Sequence, residues 1–343
     1  MGRVERGTIL HPKVLSALTT VLNIEPQQFQ ELWVQMRHPD ALYYRIERKD
    51  THGRTRIIYN PVPALKQLQR RILSQILNHI PRCASYAGVK GRSYRSAAFT
   101  HLENAGQVLT VDIKHAFDSS RYHLLTQQLR PLLKSTLWVF ALTQKERDEF
   151  IGCMAHLLTV QPSGQRFPSL PQGAPTSLAT FNLIWAPIDA KIRILIHQLM
   201  PNQEVRYSRY VDDLVFSSNE LNLDIIAHLK NMLSAFGYQL NEEKVRLATR
   251  DTAIVHGYCW QDNQTTVAPE SYQKLVKSRG HLMALHALAS TPNQQTRVAE
   301  VAHRYTHALH ARYGKNPPAS LLIDSNLLRD ISPTPQWVDE LWG

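Results

Sequence analysis

The feature that most constrains this chain is a pair of adjacent acids inside a strand-like run, Arg209-Tyr210-Val211-Asp212-Asp213-Leu214-Val215-Phe216. Alternating, β-prone residues on both sides predict two strands meeting at a tight turn that carries two carboxylates. A second apolar run, Val108-Leu109-Thr110-Val111-Asp112-Ile113, also reaches an acid. Close carboxylates repel each other by roughly 4 kcal/mol per pair at an effective dielectric near 20. A fold that gathers Asp112, Asp212 and Asp213 must therefore neutralise them. Two hard divalent cations with oxygen ligands do so, and two such ions about 4 Å apart catalyse phosphoryl transfer.

Composition narrows the partners. The 343 residues suffice for two or three subdomains around a sizeable core. The formal charge of +11 favours a polyanion partner over solubility alone. Cys83, Cys153 and Cys259 are far apart and form no CxxC pair, which argues against a zinc site or disulfide framework and fits a reducing, cytoplasmic setting. The 16 histidines show no zinc-like spacing either. Met1-Gly2-Arg3-Val4-Glu5-Arg6 has no signal-peptide character, and no apolar run is long enough to cross a bilayer.

Helical spacing predicts two short helices over 8–36, broken near Glu25-Pro26. A strand pair is expected over 42–60 with its turn at Asp50-Thr51-His52-Gly53, then an amphipathic helix over 64–80. Helices are expected over roughly 120–160. The turn-rich Pro168–Ser177 loop should lead into an apolar helix through Phe181 and Trp185. After the acidic hairpin come a helix through Leu229–Leu233, a strand pair around Ile254–Trp260, and helices over 270–314 rich in Lys, Arg and His.

Asp112, the Pro171-Gln172-Gly173 loop and Tyr210-Val211-Asp212-Asp213, in that order, resemble a reverse transcriptase over roughly residues 40–310. Leu170-Pro171-Gln172-Gly173-Ala174-Pro175-Thr176-Ser177 and the Gly88-Val89-Lys90-Gly91-Arg92-Ser93 segment are similar to bacterial retron enzymes in particular. Three stretches differ from the retron pattern. Ala97-Ala98-Phe99-Thr100-His101 stands where NAxxH is usual, Val255-His256-Gly257 where VTG is usual, and Ser177-Leu178 where Ser-Pro is usual. The first two bear on recognition of a cognate structured RNA.

The resemblance implies roles residue by residue. Asp112 and Asp212 ligate two magnesium ions, with manganese as the alternative; Asp213 is more peripheral, and the carbonyl of Ile113 completes the shell. Phe117 packs under the sugar and excludes a 2′-OH. Arg56, with Arg54 beside it, binds the triphosphate. Gln172 and Gly173 meet the template–nucleotide pair. Lys244 is the candidate proton donor to pyrophosphate. Lys90, Arg92, His101, His256, Lys274, Lys277 and Arg279 are candidate nucleic-acid contacts.

The implied fold class is α+β, a right-hand polymerase with an antiparallel palm sheet. Its expected parts are an N-terminal helical segment (1–40), fingers with part of the palm (41–110), palm (111–265), and helical thumb with a C-terminal tail (266–343). The implied reaction is RNA-templated DNA synthesis from deoxynucleoside triphosphates. In a retron the template and primer are a structured non-coding RNA, a guanosine 2′-OH starts the DNA, and a separate effector protein is restrained in phage defence. The rival readings are another defence reverse transcriptase, of abortive-infection type, and an RNA-bound scaffold that restrains an effector.

Overall fold

The computed structural model describes residues 5–38, 41–49, 55–80, 84–103, 105–162, 164–314 and 316–323. The first elements are helices α1 (Pro12–Leu22) and α2 (Pro26–Gln35), strands β1 (Tyr43–Lys49) and β2 (Thr55–Pro61), and helix α3 (Pro63–Gln75). Helix α4 (Tyr94–Leu102) and strand β3 (Gln107–Lys114) follow. Next come helices α5 (Ala116–Ser119), α6 (Tyr122–Leu132), α7 (Lys134–Val139), α8 (Gln144–Leu157) and α9 (Ser177–Leu199). Strands β4 (Arg206–Tyr210) and β5 (Asp213–Ser218) precede α10 (Asp224–Ala235), β6 (Gln239–Leu240) and β7 (Arg246–Thr249). Strands β8 (Tyr258–Gln261) and β9 (Gln264–Val267) and helices α11 (Pro269–Leu288) and α12 (Pro292–Tyr313) complete the series.

Local chemistry sets the helix starts. Proline opens α1, α2, α3, α11 and α12, where its missing N–H has no intrahelical acceptor to lose. Reciprocal capping boxes start α4 (Ser93 with Ser96), α8 (Thr143 with Glu146) and α12 (Thr291 with Gln294).

The chain forms two compact units. One comprises Met1–Cys83, Ile113–Ile192 and Leu229–Gln239; the other comprises Ala84–Asp112, Arg193–His228 and Leu240–Gly343. In the first, β1 and β2 form a hairpin in which Tyr43 pairs with Pro61 and Lys49 with Thr55. The expected turn residues Asp50–Gly53, and Arg54, lie outside the described residues. The buried Gln69 donates from Nε2 to the Tyr43 hydroxyl (3.0 Å) and the Leu157 carbonyl (2.9 Å). An aromatic series runs Phe117, Phe181, Trp185, Tyr238, with successive ring centroids 5.3, 5.5 and 4.9 Å apart.

In the second unit the central sheet has the order β4-β5-β3-β6, with β7 also paired to β3. All the registered pairings of β3 with β5 and β7, and of β4 with β5, are antiparallel. Val108 and Val215 from the sheet pack with Ala98 and Leu102 of α4 and with Val255 and Tyr258. A separate core of Leu275, Leu282, Val298, Ala302, Tyr305 and Leu309 joins α11 to α12. The strand pair expected around Ile254–Trp260 lies later, over Tyr258–Val267. His256 and Gly257 have φ of 49° and 81°, so the backbone turns there instead of running on as a strand.

Candidate active site

The acidic run folds as expected into a two-residue hairpin turn. Tyr210 pairs with Asp213 across β4 and β5, leaving Val211 and Asp212 as the loop. Val211 has φ 57°, a conformation that costs a β-branched residue about 1–3 kcal/mol. The fully buried Arg209 steadies the turn by donating from Nη1 to the Val211 carbonyl at 3.2 Å. Its backbone N–H and C=O are held by Ala84 and Tyr86 at 3.0 and 2.8 Å. From the other side the Tyr94 ring stacks on Tyr210 with centroids 3.8 Å apart.

Strand β3 brings in the third acid. Asp112 stands directly opposite Asp213 in the antiparallel register, although about a hundred residues separate them in sequence. Like charges so placed destabilise a sheet. The Asp112 side chain is almost buried and is met by two donors: Asn241 Nδ2 lies 2.9 Å from Oδ1, and Lys244 Nζ lies 3.0 Å from the carboxylate. Burial, then Asp212, then Asp112 push the Asp213 carboxyl up to about 7, against a smaller opposing effect from Lys244.

The carboxylates of Asp112, Asp212 and Asp213 are oxygen donors of the kind a hard divalent cation takes, and burial beside one another disfavours the charged form of Asp213 until such a cation is present. Among the described residues no three or more His, Cys, Asp or Glu stand in an arrangement ready to hold a metal ion.

Other predicted residues fall in several places. Phe117 is half-buried at the head of the aromatic series, backed by Phe181. Arg56 is exposed on β2, two residues before Ile58, and is paired with Arg48 across the hairpin. Gly173 has φ 109°, and a Cβ there would lie 2.6 Å from Ile58 Cγ2. Tyr59 N–H also donates to the Gln172 carbonyl at 2.7 Å, so the Gln172-Gly173 loop is fastened to β2. Lys90 is exposed, whereas Arg92 donates to the Ser85 carbonyl at 2.7 Å. Lys274 and Lys277 are exposed on α11, but Arg279 donates to the Leu322 carbonyl at 2.9 Å.

Two expected nucleic-acid contacts are corrected. His101 is wholly buried, with ring nitrogens 2.8 Å from Ser217 Oγ and 2.7 Å from Ser208 Oγ. It ties α4 to β4 and β5 and presents no ring atom to a ligand. His256 is also enclosed, its side chain 3% exposed. Its Nδ1 lies 3.8 Å from Asp213 Oδ2, and burial followed by Arg312 lowers its pKa to about 4, so a neutral ring faces the acid.

The sequence reading did not single out Arg209, Asn241, Tyr94 or Arg312. Arg312 donates to the His256 carbonyl and lies over the Tyr94 and Tyr258 rings. No local signal marks Arg312 or Asn241, whose contact to Asp112 lies 129 positions away.

Comparison with known proteins bears on this geometry. The family model described as "Reverse transcriptase (RNA-dependent DNA polymerase)" matches residues 46–267. The retron Mx162 reverse transcriptase of Myxococcus xanthus is 28% identical over 228 residues, 61% of this chain and 44% of that protein. The retron Mx65 enzyme of the same organism is 30% identical over 59% of this chain and 47% of its own length. The retron Ec86 reverse transcriptase of Escherichia coli is 26% identical over 80% of this chain and 82% of its own. The chain thus spans about half the length of the two Myxococcus relatives. Telomerase from Candida albicans, solved with a fragment of telomeric RNA, superposes with a TM-score of 0.43 at 11% identity over 87% of this chain and 62% of that one. With the family model covering well over half its residues, and with retron enzymes among its relatives, the chain belongs to the reverse transcriptase family and is of the retron type.

Proposed function

We propose that the chain is the RNA-directed DNA polymerase of a retron, copying a structured partner RNA into single-stranded DNA. The observation that carries the reading is the direct cross-strand pairing of Asp112 with Asp213, beside a turn that holds Asp212. In the reaction a primer hydroxyl oxygen attacks the α-phosphate of a deoxynucleotide. A new P–O bond forms, the bond to pyrophosphate breaks, and the hydroxyl proton passes to solvent water. Bound magnesium, or manganese in its place, would supply Lewis acidity at the hydroxyl and the phosphates. Asp112, Asp212, Asp213 and the Ile113 carbonyl would hold it.

Lys244 Nζ then leaves the Asp112 carboxylate and gives a proton to pyrophosphate. Arg56 binds the triphosphate, Phe117 excludes the 2′-OH, and Gln172 and Gly173 meet the templating pair. Exposed Lys90, Lys274 and Lys277 track the nucleic-acid backbone. The retron motifs and the retron relatives support the finer reading. In it, a guanosine 2′-OH primes synthesis, the product is branched RNA–DNA, and a separate effector is restrained in cytoplasmic phage defence.

The test is to purify the chain with its bound nucleic acid and digest with RNase and DNase separately. Short DNA covalently joined to RNA is expected, and an Asp212→Ala, Asp213→Ala variant should yield none. Recovery of RNA alone from the unaltered protein would overturn the retron reading.

A further inference from the structure

We infer that Asn241 is a positioning residue for DNA synthesis, holding Asp112 from two directions. This rests on the reading of Asp112 as a metal-holding acid. The Asn241 backbone N–H donates to the Asp112 carbonyl at 2.8 Å, and its side-chain Nδ2 donates to Asp112 Oδ1 at 2.9 Å. The same residue organises the next turn: Lys244 N–H donates to the Asn241 carbonyl at 2.9 Å, closing the short 3-10 segment Glu242–Lys244. That turn delivers Lys244 Nζ to the Asp112 carboxylate at 3.0 Å. One asparagine thus fixes the main chain of the acid, one of its oxygens, and the loop that carries its cationic neighbour.

The chemistry of an amide suits this task. An ionised carboxylate offers about four acceptor sites over its two oxygens. Asn241 takes one without bringing charge, so the remaining sites stay available to a cation. An ammonium in its place would repel that cation. A carboxylate would withdraw the donor and add repulsion to an already crowded set of acids. The two contacts on the Asp112 side chain also differ in fate. A cation arriving at the carboxylate competes with Lys244, like charge against like, but has no reason to displace the neutral amide. The Asn241 bond therefore persists through the cycle and sets the rotamer of Asp112. Misplacing a reacting group by about 1 Å can lower a rate on the order of a hundredfold.

The experiment compares the unaltered chain with Asn241→Ala, Asn241→Asp and Asp112→Asn. Primer extension on an RNA template with an annealed DNA primer is titrated with magnesium. The thermal midpoint is measured with and without magnesium, in the absence of nucleotide and template. Asn241→Ala should lower kcat about tenfold or more with the deoxynucleotide KM within about twofold, raise the magnesium half-saturation several-fold, and shrink the magnesium-induced rise in midpoint. Asn241→Asp, though isosteric, should be worse than alanine in kcat. If Asn241→Ala does not fold, Asn241→Leu, close in size but without a side-chain donor, takes its place with the same expected losses. A kcat and magnesium curve matching the unaltered protein would overturn the proposal. So would a loss of activity accounted for by the unfolded fraction, with magnesium half-saturation unchanged. Asp112→Asn separates the two levels: if it still makes DNA, the reading of the acidic site itself fails.

Discussion

At the scale of single residues, the site depends on side chains whose shape is set by what lies behind them. The Phe117 ring rests on Phe181, which stacks on Trp185, so the ring is backed from behind. Phe117→Val should raise the ratio of ribonucleotide to deoxynucleotide incorporation by about tenfold or more, measured by single-nucleotide extension with each substrate. Gly173 illustrates a different constraint. Its φ of 109° and the 2.6 Å approach of Ile58 to a built Cβ leave no room for a side chain. Gly173→Ala should lower stability by about 1–3 kcal/mol, seen as a lower urea midpoint with unchanged slope. The glycine was legible in the sequence, but the sequence suggested a ligand as the reason for it. The β2 strand is itself a sufficient reason. The importance of Asn241 was not legible, because a hydrogen bond between residues 129 positions apart leaves no local periodicity.

At the scale of elements, the acidic hairpin is held by its surroundings against its own strain. Val211 and the facing acids work against it, while His101, Arg209 and Tyr94 brace it. His101 carries a pH signature. Burial, with smaller effects from His256 and Arg206, lowers its pKa to about 3 from 6.5. The unfolded chain therefore binds the proton more readily, and the stability contributed by the neutral ring is full above about pH 6.5 and lost as pH falls towards 3. By pH 5 the loss is about 2 kcal/mol. His101→Gln should remove most of that part of the slope between pH 7 and 5 in urea denaturation. A slope identical to that of the unaltered chain would refute the assignment. The hairpin was readable because alternation with period two is local. The four-residue β7 and two-residue β6 were not, being too short to show a period. The burial of His101 could have been anticipated from Ala97 and Ala98, which share its helix face at spacings of four and three.

At the scale of the whole molecule, net charge and sheet topology have different consequences. The +11 charge favours a polyanion partner. Lys274 and Lys277 are exposed and one turn apart on α11. A Lys274→Gln, Lys277→Gln variant should weaken duplex binding and reduce the slope of log affinity against log salt by about 2. Arg279, committed to the Leu322 carbonyl, should contribute less to that slope than to the packing of its helix. The topology bears on how the protein is made. β3 sits between strands that all follow it in sequence, the nearest beginning at Asp213. On a ribosome adding about 5–20 residues per second, an apolar strand with both edges unmatched waits about 5–20 s for its first neighbour. A nascent chain arrested near residue 205 should accordingly aggregate, or be held by chaperones, where one arrested past residue 250 does not. The arrangement that lets two distant acids meet also obliges the cell to shelter one of them until the other has been synthesised.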